Sequence, residues 1–149
     1  MHNELFKQLT QEHQQVKQII SKMLKAPPDS RESLFEELKI NLLPHMEGEE
    51  KALYPVLTKK QDAHQPALEA LEEHHVAKTV ITEIRNTEPN SDTWLAKCKV
   101  LSDLLNHHIQ EEEEELFELT RKTISEQVAG EIFNNYLSQR NDFKGRLAA

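Results

Sequence analysis

Cysteine, glycine, long apolar runs and excess basic charge are all scarce in this chain. One cysteine, Cys98, excludes an intrachain disulfide framework and fits a cytoplasmic protein. Three glycines among 149 residues leave a chain dominated by Leu, Glu, Lys, Gln and Ala, which favour helix. No apolar stretch approaches the ~20 residues of a membrane span, so no membrane partner is expected. The N-terminus lacks a basic segment followed by an apolar core, so no signal peptide is expected either. Lys and Arg total 18 against 26 Asp and Glu. The resulting net charge of −8 argues against nucleic acid as a partner, because phosphate binding needs a basic face. Histidine, by contrast, is plentiful at eight residues. The length suits one domain, 1–149, with one core.

Punctuation divides the chain into helices near 3–25, 31–59, 66–87 and 92–123. Pro27-Pro28-Asp29-Ser30 ends the first, with Ser30 placed to cap the second. Lys59 to Gln65 and Thr87 to Ser91 are the next breaks, with Ser91 or Asp92 as a cap. Ser125-Glu126 opens a short C-terminal helix at about 126–141. Short links between long amphipathic helices predict an all-α, up-down-up-down four-helix bundle over about 3–123 with a fifth helix after it. Pro44 and Pro55 fall inside the second helix, and a kink is expected at Pro44.

Two stretches are near copies: His45-Met46-Glu47-Gly48-Glu49-Glu50-Lys51-Ala52-Leu53-Tyr54 and His108-Ile109-Gln110-Glu111-Glu112-Glu113-Glu114-Glu115-Leu116-Phe117. In each, Glu stands four and five residues after His, and Leu-aromatic stands eight and nine after it. At ~100° per residue, His45 and Glu49 share a face with Leu34, Leu38, Leu42 and Val56. His108 and Glu112 likewise share one with Trp94, Leu101, Leu105 and Leu119. His13 sits among Phe6, Leu9, Val16 and Ile20, and His74 among Ala67, Ala70, Ala77 and Ile81. His2, His64, His75 and His107 fall outside this set. The chain thus reads as two halves, each a His followed by His-x-x-x-Glu.

Five consecutive glutamates tour a whole helix turn, so Glu111 to Glu115 alone are ambiguous. The repeat narrows them, because Gly48 and Ala52 occupy the places of Glu111 and Glu115. Helix geometry favours Glu49 and Glu112, with Glu50 and Glu113 as second choices. Four imidazoles and two carboxylates in one core need a partner, since buried charge must be paired or coordinated. Two metal ions meet that need. Imidazole with carboxylate suits Fe, Mn or Zn, and the lack of thiolates argues against an iron–sulfur cluster. If each Glu bridges and each ion takes two His, an oxide- or hydroxide-bridged pair keeps about one open position per ion. Which His pairs with which is left open.

These residues resemble the hemerythrin-like HHE cation-binding domains. The resemblance rests on Glu12-His13, on Pro44-His45-x-x-x-Glu49-Glu50 with Leu53-Tyr54-Pro55, on Glu73-His74-His75, and on His108-x-x-x-Glu112-Glu113 with Leu116-Phe117. It covers about 3–123. It implies a four-helix bundle with a non-haem di-iron centre, two Fe ions with His13, His45, His74 and His108 as terminal ligands and Glu49 and Glu112 as bridges. Oxygen-carrying hemerythrins place a second His one turn after the third-helix His, where this chain has Lys78. They place Asp where it has Glu113. The set is closer to bacterial HHE proteins linked to nitric-oxide or oxidative stress. The resemblance therefore implies a protein that binds or reacts with O2, NO or peroxide, or handles iron under stress. A metal-dependent sensor or interaction module, or a reversible oxygen carrier, are the alternatives. Whether the chain is an enzyme is left open.

Overall fold

A computed structural model describes residues 2–148. They form five helices. Helix α1 is His2–Lys25, and α2 is Pro28–Gly48 continued by Glu49–Leu53 and Tyr54–Leu57. Helix α3 is His64–Arg85, and α4 is Asp92–Glu111 continued by Glu112–Leu116 and Phe117–Thr123. Helix α5 is Glu126–Ala148. The first four run up-down-up-down as a bundle, and α5 packs along α1 and α2. None of the helices is long and apolar enough to cross a membrane.

Local chemistry sets most boundaries. The Ser91 hydroxyl accepts the Trp94 N–H at 3.1 Å to start α4, and Ser125 accepts the Val128 N–H at 3.1 Å to start α5. Helix α2 departs from expectation, because it begins at Pro28 and not after a Ser30 cap. Extended Pro27 precedes it, and Pro28 sits in the first turn, where a missing N–H costs nothing. Helix α5 also runs past the expected limit near Asn141, to Ala148. Its apolar face packs on the bundle, with Tyr136 fully buried and Phe133 and Leu137 against the core.

The core has two apolar blocks with a polar layer between them. One block holds Leu5, Leu9, Leu53, Leu57, Ala67, Ala70, Leu116 and Phe117. The other holds Val16, Ile20, Leu38, Leu42, Ala77, Ile81, Leu101 and Leu105. Each of α1 to α4 passes from one block to the other. The crossing points are His13, the segment His45 to Glu49, His74, and the segment His108 to Glu112. Apolar packing on both sides therefore fixes the height of every one of these side chains.

Candidate metal centre

Both copies of the repeat carry the same backbone irregularity. Residues Glu49–Leu53 and Glu112–Leu116 each form one π-helical turn. It closes where the Tyr54 N–H donates to the Glu49 carbonyl, and the Phe117 N–H to that of Glu112. In a straight helix, residues five apart point roughly 140° from each other. A wide turn absorbs the extra residue and brings both back to one side. Glu49 and Tyr54, and equally Glu112 and Phe117, therefore all face inward. Pro55 is not the cause, because the second copy has Glu118 at that place. The chain stays helical through Pro44, and the widened turn lies at the glutamates that follow.

The six side chains singled out in the sequence converge. His13, His45, Glu49 and Glu112 offer donor atoms within 4.8 Å of one another, and so do Glu49, His74 and His108. Glu49 belongs to both groups. Its Oε1 lies 3.3 Å from His45 Nε2 and 3.3 Å from His74 Nε2. Glu112 Oε1 lies 3.1 Å from His13 Nε2, and its Oε2 lies 3.8 Å from His108 Nε2. Both glutamates are completely buried, and no histidine of the set is more than 6% exposed. Of Glu111 to Glu115, Glu112 alone is buried.

The outward nitrogens are all tied down. His13 Nδ1 meets Glu113 at 2.7 Å and His45 Nδ1 meets Glu12 at 3.0 Å. His74 Nδ1 meets Glu50 at 2.8 Å and His108 Nδ1 meets Glu73 at 2.8 Å. The carboxylates run round the bundle in order, each from the helix next to its histidine. An Nδ1–H donating to a carboxylate leaves the Nε2 lone pair pointing inward, the arrangement metal-ligating histidines favour. The inward atoms are poorly satisfied without an ion. His13 Nε2, both Glu49 oxygens and Glu112 Oε1 are buried with no hydrogen-bond partner. His74 Nε2 and His108 Nε2 stand 3.1 Å apart, so two lone pairs oppose each other unless a proton or a cation lies between them. These residues fit a metal pair, as an all-nitrogen-and-oxygen donor set for Fe, Mn or Zn.

Electrostatics point the same way. Burial opposes charge on His45, but the Glu49 charge and the Glu12 hydrogen bond prevail and raise it well above the usual imidazole range. Burial likewise opposes charge on His13 and His74, yet the carboxylates facing them, Glu112 and Glu113 for the one and Glu49 and Glu50 for the other, raise both. Burial would raise Glu49, but the His45 charge and the buried groups around it together hold it well below the usual carboxylate range. With no ion, protons on the histidines supply the countercharge, and a metal has to displace them.

The two halves are not equivalent. The Tyr54 hydroxyl donates to Glu112 Oε2 and lies 3.4 Å from His74 Nε2, whereas its counterpart Phe117 has no hydroxyl and stacks 6.4 Å from His13. Helix α5 acts on the first half alone. Tyr136 donates to Glu12 Oε1 and lies 2.9 Å from His45 Nδ1, and Arg140 donates to Glu12 Oε2 at 2.6 Å. Burial would raise Glu12, but His45, Tyr136 and Gln8 hold it down at about 2. Lys78 pairs with Glu50 at 2.7 Å. A cavity of about 10 Å³, one water in size, lies against all four histidines, walled by Val16, Leu42, Met46, Leu105 and Ile109.

Sequence reasoning excluded His2, His64, His75 and His107, and none of these joins the inner set. It assigned no role to Glu12, Glu73, Tyr136 or Arg140, and it held Glu50 and Glu113 as second-choice ligands. The structure places these two on the outward histidine nitrogens. The one available signal was the glutamate directly before His13 and again before His74.

The Nostoc sp. (strain PCC 7120) protein described as a DNA nickase is 22% identical over 120 residues, which are 80% of this chain. The chain thus spans about a third of that relative's length, 34%. A crystal structure of a hemerythrin HHE cation binding domain-containing protein from Mycobacterium kansasii superposes with a TM-score of 0.81. That match has 21% identity and covers 95% of this chain and 87% of the other, so the likeness is one of fold. The model of the hemerythrin HHE cation binding domain matches residues 2–120. With that match over most of its length and a His/Glu cluster at the centre of its bundle, the chain belongs to the hemerythrin HHE cation-binding domain family and is a metal-binding domain.

Proposed function

We propose that the chain holds two iron ions in the polar layer and uses them to bind or react with O2, NO or peroxide, or to handle iron under oxidative or nitrosative stress. His13 and His45 would hold one ion and His74 and His108 the other, with Glu49 shared and Glu112 completing the bridge from the His13 side. The observation that carries this reading is the one-water cavity lying against four histidines whose Nε2 atoms are turned inward. Its apolar walls favour a molecule of two or three atoms over a polar organic substrate. A redox metal pair would supply coordination and electron exchange at that cavity. The chain itself orients the imidazoles, fixes their tautomers and keeps bulk water out. Its net charge of −8 gives no reason to bring DNA nicking, the activity in the Nostoc relative's name, to this chain.

Anaerobic loading with ferrous iron should give close to two irons per chain, and addition of O2 or NO should change the visible spectrum. Glu49→Gln combined with Glu112→Gln should abolish tight binding. Near-zero iron in the unaltered protein, or unchanged iron in the double variant, refutes the assignment. A second reading, a sensor that reports through α5, is favoured by the Tyr136–Glu12–His45 link between that helix and the centre. Under it, iron loading would alter hydrogen exchange along α5 without turnover.

A further inference from the structure

A second His-x-x-x-Glu lies one position before the inner one on α4, as His107 and Glu111. It faces about 100° away from the core. Its groups meet a carboxylate from α3: His107 Nε2 is 3.1 Å from Glu111 and 3.6 Å from Glu73, and the three donor atoms lie within 4.8 Å of one another. Glu73 is shared between two levels, since its Oε1 holds His108 Nδ1 at 2.8 Å while its Oε2 faces His107.

The duplicated halves show what belongs beside that outward oxygen. Glu12 is the counterpart of Glu73, and its outward oxygen holds the Arg140 guanidinium at 2.6 Å, brought by α5. On the α3–α4 side no helix covers the face, and among the described residues no lysine or arginine pairs with Glu73. The place of neutral Gln8 is taken by Glu69. This half has carboxylates and an imidazole where the other half has a cation.

Two cavities border the same residues. Glu73, His107 and Glu111 line an open cleft of about 420 Å³. Glu73 and Glu111 also line a small cavity of about 10 Å³ that reaches His108 and Glu112. Glu112 is completely buried, and its Oε2 lies 3.8 Å from His108 Nε2. Acidic walls beside a buried carboxylate concentrate cations.

We propose that Glu73, His107 and Glu111 form an outer site for a divalent cation, from which the ion passes to the buried centre. The passage half of this rests on the function proposed above; the outer site does not. The test uses Co2+ under anaerobic conditions, with equilibrium dialysis for stoichiometry and stopped-flow absorbance for loading. The unaltered protein should bind a third, weaker equivalent beyond the buried pair. In His107→Ala combined with Glu111→Gln, that equivalent should vanish. Loading of the buried pair should also slow by at least about fivefold at low ionic strength, with its final occupancy unchanged. His75→Ala, a change at an exposed histidine elsewhere on α3, should behave as the unaltered protein. An unchanged stoichiometry overturns the outer site, and an unchanged loading rate overturns the passage. If the unaltered protein takes no tightly held cobalt, the buried-centre reading fails. The outer site then stands or falls on whether the weak equivalent disappears in the double variant.

Discussion

Replacing Gly48 by alanine should damage both the fold and the metal centre, although general helix chemistry favours the change. Gly48 has ordinary helical dihedrals, φ −58° and ψ −46°, so its backbone does not need glycine. In an open helix the substitution would stabilise by about 1 kcal/mol. Here the new Cβ would stand 2.5 Å from Tyr136 Cε2 and 2.6 Å from Cδ2. That ring is fully buried and its hydroxyl is tied to Glu12, so it cannot swing aside freely. Overpacking of this kind costs about 1–3 kcal/mol, and a weakened hydrogen bond to a buried charged group about 1.5–3 kcal/mol more. After the helix gain, a net loss of about 3 kcal/mol is expected, a fall in Tm of about 6–12 °C for a chain of this size. Tyr136 and Glu12 position His45, so under the two-ion proposal affinity for the ion at His45 should drop by about 10–100-fold. Thermal unfolding of the metal-free protein and a metal-binding titration measure the two effects separately. A variant that melts higher and binds metal as before would refute the claim that Tyr136 occupies this space and orients His45.

Tyr54→Phe removes the hydroxyl from buried Glu112 while keeping the ring. Metal-free protein should lose about 1.5–3 kcal/mol, and metal-loaded protein distinctly less; equal losses in paired melting curves would show that Glu112 gains nothing from the ion. The pH dependence of metal-free stability should be bounded on both sides. His13, His45 and His74 are raised in the fold, so their contribution is complete below pH ~6.5 and is lost as pH rises through their folded values. Glu12 and Glu49 are lowered, so theirs is complete above pH ~4.5 and is lost as pH falls, toward about 2 for Glu12. Melting temperatures across pH should therefore fall on the alkaline side for metal-free protein and much less when metal replaces the histidine protons. An alkaline decline unaffected by metal would contradict that exchange.

The histidine and glutamate pattern was legible because helices translate spacing into direction. His45 with Glu49, and His108 with Glu112, lie one turn apart within apolar stripes, and burial of both pairs follows from helix geometry alone. The repeat narrowed five consecutive glutamates to Glu112 and Glu113, and helix geometry favoured Glu112. The links were short enough to dictate antiparallel neighbours, and serines 91 and 125 marked two helix starts. The π turns were not legible, because the hydrogen-bond shift from four to five residues has no composition of its own. The ring of outer carboxylates was hidden for a related reason. Glu12, Glu50, Glu73 and Glu113 each serve a histidine on a neighbouring helix, and those pairings depend on which helices sit side by side.

By itself, then, the sequence determined an all-helical bundle, its helix order and the six side chains that face its middle, since all of these follow from local periodicity and a duplicated spacing. Tertiary structure decided what distinguishes the halves. Helix α5 lies on α1 and α2 and delivers Tyr136 and Arg140 to Glu12, while the matching face of α3 and α4 stays open. No periodicity encodes that choice, because it depends on where a separate helix finds apolar surface to cover.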